Sequence, residues 1–245
     1  MIKDKLGRVY DHLTETPSDR RLRTLLIASI GLLVVSAPTV IYLLELSNYP
    51  GDLEETQLGF DGEYIRLCFS NMSGTDISFF IMGNLVDYLF MVSYGTLLFS
   101  SSLILSRRLR KGSRGRKIGY TVSILGLLAG CCDGLENIFL LSMASNPIDF
   151  PSWLALPHSL FANIKFDLMY ITSAWILFAF AYVVVRWILK PRSPVLTVSE
   201  VVQSRAHRVH GLYPIRGHDL CVEGKNPPDR ALLRHFVPSK LSNGG

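Results

Sequence analysis

Charged residues are scarce in this chain: Asp, Glu, Lys and Arg together make up 18% of its 245 positions, against 49% hydrophobic. With a positive mean hydropathy, that balance is unusual for a soluble domain and points to membrane segments. Also missing are a His-rich metal motif, a serine nucleophile elbow and a glycine-rich phosphate loop, so the best-marked signatures of hydrolytic and phosphoryl-transfer chemistry are absent. Nor does any pattern ask for a cofactor. The four cysteines, Cys68, Cys131, Cys132 and Cys221, are too few and too unevenly spaced for a disulfide framework. Vicinal Cys131 and Cys132 read as small, polarisable packing residues, because adjacent cysteines bridge each other only under strain.

Apolar runs are what the chain has in quantity. Four reach the roughly 20 residues that a ~30 Å hydrocarbon layer requires, at about 24–46, 78–105, 118–143 and 163–189. Backbone polar groups in lipid must be bonded internally, which predicts an all-α bundle of four transmembrane helices. The first run follows "SDRRLR" as a signal peptide would. It is too long for an h-region and lacks a small-x-small cleavage site, so it reads as an uncleaved anchor.

Charge is distributed unevenly. Residues 1–23 carry Lys3, Lys5, Arg8, Arg20, Arg21 and Arg23, and "SRRLRKGSRGRK" at 106–117 carries seven cations. The 47–77 link has Arg66 alone against Asp52, Glu54, Glu55, Asp61, Glu63 and Asp76, and 144–162 has no Lys or Arg. The positive-inside rule then predicts a plasma-membrane protein with both termini and the basic loop cytoplasmic. The expected domains are a cytosolic segment 1–23, the bundle 24–189 and a basic tail 190–245. The partners this implies are the lipid bilayer, with anionic lipid at the basic loop. No aromatic stacking platform accompanies those cations, which argues against nucleic acid.

Outside the spans, "FDGEYIRLCF" shows an Asp61-Gly62 turn and an alternation that predicts a short strand or hairpin. The 144–162 link, with Trp153 and three prolines, suits a segment at the lipid interface, with His158 at its surface. "NMS" at 71–73 fits a glycosylation sequon. In the tail, "PPDRALLRHF" predicts a short helix. There His207, His210, His218 and Cys221 have zinc-ligand chemistry at H-x2-H-x7-H-x2-C, but the spacing matches no familiar finger and reads as scattered residues.

The polar residues inside the spans mark the candidate site, because ionisable groups in a bilayer are expensive and normally face the bundle interior. In the second span Asn84, Asp87, Met91 and Tyr94 form one stripe. In the third, "CCDGLENIFLL" sets Asp133 and Asn137 one turn apart with Glu136 beside them. Gly126, Gly130 and Gly134 repeat every four residues next to these, a series that lets a neighbouring helix approach closely. At 1.5 Å per residue, Asp87 and Asp133 both lie ~15 Å below the acidic side. In the fourth span Asn163, Asp167, Tyr170, Ala174 and Ala181 share a face expected to point inward, with Lys165 nearly opposite. The expected result is an acidic pocket of Asp87, Tyr94, Asp133, Glu136, Asn137, Lys165 and Asp167, opening to the acidic side.

"DGLENIFLL", "DYLFMVSYGTLL" and "NIKF" resemble small bacterial four-span membrane proteins of uncharacterised function that carry Asp-x-x-Glu-Asn in the third span. The resemblance covers about 78–185. It implies Asp87, Tyr94, Asp133, Glu136, Asn137 and Lys165 as matched positions and supplies no activity. Three functions fit the residues. The first is binding or passage of a cation, proton or small amphiphile, with a homo-oligomer through the glycine face completing the pathway. The second is an anchor for a cytosolic partner, and the third is a lipid-modifying enzyme using Asp133 and Glu136 as acid and base.

Overall fold

The computed structural model describes residues 2–189, with side chains from Gly7 onward. The zinc-type residues His207, His210, His218 and Cys221 and the expected tail helix lie outside the described residues. All regular structure among the described residues is helical. Its elements are α1 (Ile2–Glu15), α2 (Asp19–Leu46), α3 (Leu53–Leu58), α4 (Gly62–Ser70), α5 (Gly74–Arg108), α6 (Arg114–Ser145), a 3-10 turn (Ser152–Leu154) and α7 (Ala155–Ile188). α2, α5, α6 and the turn with α7 are long and apolar enough to cross a membrane.

Side-chain caps set where the long helices begin. Ser18 accepts from the Arg21 amide at the start of α2, and Ser113 accepts from Arg116 at the start of α6. Ser73 and Asp76 form a reciprocal capping box at α5, so the sequon serine is spent on the backbone of its own helix. These caps start each span several residues before the hydropathy does. α7 begins earliest, because Pro151 leads into the 3-10 turn and Pro157 falls in the first helical turn, where its missing N–H costs nothing. The interfacial link expected over 144–162 therefore shrinks, and most of it is helix.

α2 packs on α5, α5 on α6, and α6 on α7, while α5 also touches α7. Three helices thus form the core, and α2 leans on one of them. Ile27, Val34 and Val35 of α2 and Leu177, Phe178 and Trp187 of α7 are exposed. Such outward apolar faces belong against hydrocarbon. Cys131 also faces outward, against the packing role expected of it; Cys68 is buried.

The acidic end carries a helical lid. The strand expected over "FDGEYIRLCF" is α4, capped by Asp61, which accepts from the Glu63 and Tyr64 amides. The alternation was misleading, since the residues actually buried are Gly62, Ile65, Cys68 and Phe69, at helical spacing. Phe69 and Phe80 meet edge to face at 5.3 Å, and Tyr49 stacks on Phe80 at 5.0 Å. Burial raises the Tyr49 phenol above its ordinary range. Arg66, the one cation of 47–77, donates to the Phe150 carbonyl at 2.7 Å and to Ser152 at 2.9 Å, and pairs with Glu63. Those contacts with Arg66 and Ser152 hold the Glu63 carboxyl below its ordinary range. A Cβ at Gly62 would stand 2.6 Å from the Ser152 carbonyl, so α4 reaches the turn only because that position is bare.

At the basic end, α1 folds onto the bundle. Tyr10 bonds Thr121 at 2.9 Å, and Arg107 donates to the Leu13 carbonyl from Nε at 3.2 Å and from a terminal nitrogen at 2.9 Å. Leu13, Leu22, Leu103 and Tyr120 close the contact.

Candidate functional site

The apolar core of α5, α6 and α7 is interrupted by one buried polar cluster. α6 supplies Asp133, Glu136 and Asn137, which are 3%, 0% and 3% exposed. Facing them from α7, Lys165 sets its ammonium 2.8 Å from Asp133 Oδ1 and 2.5 Å from Glu136 Oε2. Tyr94 of α5 donates to Asp133 Oδ2 at 2.8 Å and lies 3.3 Å from the Ala129 carbonyl. One turn toward the acidic end, Asn137 donates its amide to Asp87 Oδ2 at 2.7 Å. Tyr88 reaches the Gly134 carbonyl at 3.2 Å. Asn84, on the same stripe of α5, spends its amide on the Phe80 carbonyl of its own helix.

Two carboxylates therefore share one ammonium, and a third, Asp87, stands apart on the Asn137 amide. Asp133 is fully engaged, one oxygen on Lys165 and the other on Tyr94. Glu136 is not. Its Oε2 touches Lys165 as an ion pair without hydrogen-bond alignment, and Oε1 has no hydrogen-bond partner among the described residues. A buried carboxylate oxygen left bare is costly, and it marks the place where a proton or a further donor would sit. Asp87 is the most accessible of the acidic groups, half-buried where the others are closed.

α7 departs from its expected orientation. Lys165 points into the bundle and Asp167 outward, while Tyr170, Ala174 and Ala181 are all exposed. The buried seam runs through Ala155, His158, Ala162, Lys165, Thr172 and Ala179, spaced three, four, three, seven and seven. That is a heptad of small residues with one lysine set into it. Asp167 instead lines a groove of about 420 Å³ between α3 and α7, together with Glu54, Gln57, Asn163, Phe166 and Tyr170. Phe166 joins the two places, since it lines the groove and the Lys165 ammonium lies 4.9 Å from its ring centre.

His158, expected at the surface, is fully buried. Its ring nitrogens face the Glu136 carbonyl at 3.3 Å and the Thr56 carbonyl of α3 at 3.2 Å. A neutral imidazole has one N–H and serves one carbonyl at a time, whereas the charged ring would serve both. The histidine thus ties the lid to the backbone of the cluster's own glutamate. Ser159 beside it accepts from the Phe60 amide, at a residue held in the left-handed region with φ 57°. The pocket expected to open toward the acidic end is in this way roofed by α3. The histidine's place in the α7 heptad was the sequence signal for it.

The glycine series does what its spacing predicts, against α5. A Cβ at Gly130 would lie 3.0 Å from the Met91 carbonyl and 3.6 Å from Gly95 Cα. At Gly126 it would be 2.8 Å from Leu98 Cβ, and at Gly134 it would be 3.4 Å from Met91 Sδ. This close contact brings Tyr94 and Asp87 within reach of α6. Comparison with protein-family models, with curated proteins and with solved structures returned no match to the chain.

Proposed function

We propose that this multi-pass membrane protein binds a proton or a small cation at the acidic cluster of its bundle and exchanges it through Asp87 with the acidic, outer side. Both termini and the 106–117 loop are cytoplasmic in this reading, and the plasma membrane is its seat, because the basic residues collect at one end and the acidic ones at the other. What supports the exchange is the imbalance at Lys165. Two buried carboxylates meet one ammonium, a third lies nearby on Asn137, and one glutamate oxygen is bare. Low local polarity makes such excess negative charge expensive, so a proton or cation is drawn to it. Asp87 is the natural exchange point, being the least buried of the three and held by Asn137, one turn from Asp133 on α6.

Replacing Asp87 with Asn keeps the volume and one hydrogen bond and removes the exchangeable charge. The variant should fold as the parent does and lose cation binding, or the pH dependence of melting between pH 5 and 9. Asp133→Asn should lose both binding and some stability, since its carboxylate is the better-held partner of Lys165. Unchanged binding in both variants, with melting temperatures at or above the parent's, would reduce the cluster to structural glue. The orientation has its own check by single-cysteine labelling from outside intact cells. A cysteine at Asp61 should react and one at Ser113 should not; the reverse pattern turns the protein over.

A further inference from the structure

At the opposite end of the molecule from the acidic cluster, α2 and α5 enclose a second cavity of about 330 Å³, lined by Asp19, Arg23, Ile104, Arg107 and Arg108. Three guanidiniums face one carboxylate there. Arg107 is already committed, with one terminal nitrogen 2.7 Å from Asp19 and two other nitrogens on the Leu13 carbonyl. Those bonds fix it as the wall of the cavity. Arg23 and Arg108 are exposed and make no hydrogen bond or ion pair among the described residues. We infer that this cavity is a phospholipid site, in which Arg23 and Arg108 clasp the phosphate of an anionic headgroup while its acyl chain lies along α2.

Two features select a lipid over a soluble anion. Ile104 gives the cavity an apolar side. Below Arg23, at intervals of four, three and four, Ile27, Ile30 and Val34 form an exposed apolar stripe on α2, 70%, 45% and 67% accessible. A basic pocket between membrane helices that continues into an apolar stripe matches both halves of such a lipid. Guanidinium is also the better group for this, because its planar fork meets two phosphate oxygens at once. The site differs from the diffuse attraction that the other cations of 106–117, from Arg110 onward, exert on any anionic surface, and it depends on nothing at Asp133 or Lys165.

The test follows the rise in melting temperature of detergent-solubilised full-length protein as dioleoyl phosphatidylglycerol is added. The parent should gain about 5 °C at saturation. Arg23→Gln with Arg108→Gln should move the midpoint about 25-fold higher, and each substitution alone about fivefold, at ~1 kcal/mol per cation. The single variants keep the test open should the double variant fail to fold. Arg110→Gln with Lys111→Gln, in the loop outside the cavity, should leave the midpoint where it was. The inference is overturned if the cavity variants titrate like the parent, or if the loop variant weakens as much as they do. It is overturned equally if inorganic phosphate or dioleoyl phosphatidylcholine gives the same rise as phosphatidylglycerol.

Discussion

Lys165→Met should destabilise the protein by ~3–5 kcal/mol, the largest loss expected from any single side chain in the bundle. Among the described residues the ammonium is the only cation paired with Asp133 and Glu136, and it lies in a site where it is 5% exposed. Without it Asp133 keeps the Tyr94 hydroxyl, but Glu136 keeps nothing. Two carboxylates would then be buried side by side with no countercharge. The cost comes from stranding them rather than from the intrinsic worth of the pair, and this makes the prediction specific. Adding Asp133→Asn and Glu136→Gln to Lys165→Met should restore most of the loss, since a buried ionic group replaced as a whole is often nearly neutral. Asp167→Asn, two residues away on the exposed face, should change stability by no more than ~0.5 kcal/mol. Reversible unfolding of the four proteins in detergent measures all of this. Lys165→Met with the parent's stability would mean that the ion pair does not hold the bundle.

The contrast between Lys165 and Asp167 also shows where the sequence stops being legible. The four spans follow from length and hydropathy, which are properties of long windows and survive local error. The polar face of α6 was legible because two independent signals coincide there, the Asp133–Asn137 spacing and the glycine series. On α7 two signals also coincide, polar Asn163, Asp167 and Tyr170 with small Ala174 and Ala181, yet Asp167, Tyr170 and both alanines are exposed. Asn163, Asp167 and Tyr170 lie near the acidic end, where the groove beside α3 accepts polar groups without burying them. The alternative signal was the run of Ala155, Ala162, Thr172 and Ala179. Helices that must approach closely in lipid use small residues, so that seam outranks polarity as a guide to the buried face. Lys165 falls on the seam and is carried inward with it. The lid failed for a related reason. Six alternating residues cannot distinguish a strand from a short amphipathic helix, and the Asp61 cap that decides the matter was read as a turn. His158 could not be placed without α3, because half of its contacts come from the Thr56 carbonyl, 102 positions away.

Gly130→Leu should be nearly as damaging as the loss of Lys165, and by a different route. The position faces α5 at a point where even a methyl group would stand 3.0 Å from the Met91 carbonyl, which is backbone and cannot swing aside. Opposite it lies Gly95, whose own Cβ would be 3.6 Å from Gly130 Cα, so neither helix offers slack. A leucine there must push α5 and α6 apart. Overpacking of this kind costs ~1–3 kcal/mol, and more where the obstacle is backbone. The damage would not stay local, because the polar bonds on either side depend on the same approach. Tyr94 to Asp133 is 2.8 Å and Asn137 to Asp87 is 2.7 Å, so a shift of even 1 Å takes both beyond hydrogen-bond range. Leu128→Ala, two residues earlier, is the matched comparison. Leu128 is 45% exposed on the lipid side of α6, and in a membrane a truncated outward side chain is replaced by an acyl chain of equal apolarity. Its expected cost is ~0.5 kcal/mol or less. The two variants melted side by side in detergent should differ by several degrees. If they melt together, the glycine series does not set the distance between α5 and α6, and the cluster would owe its geometry to Lys165 alone.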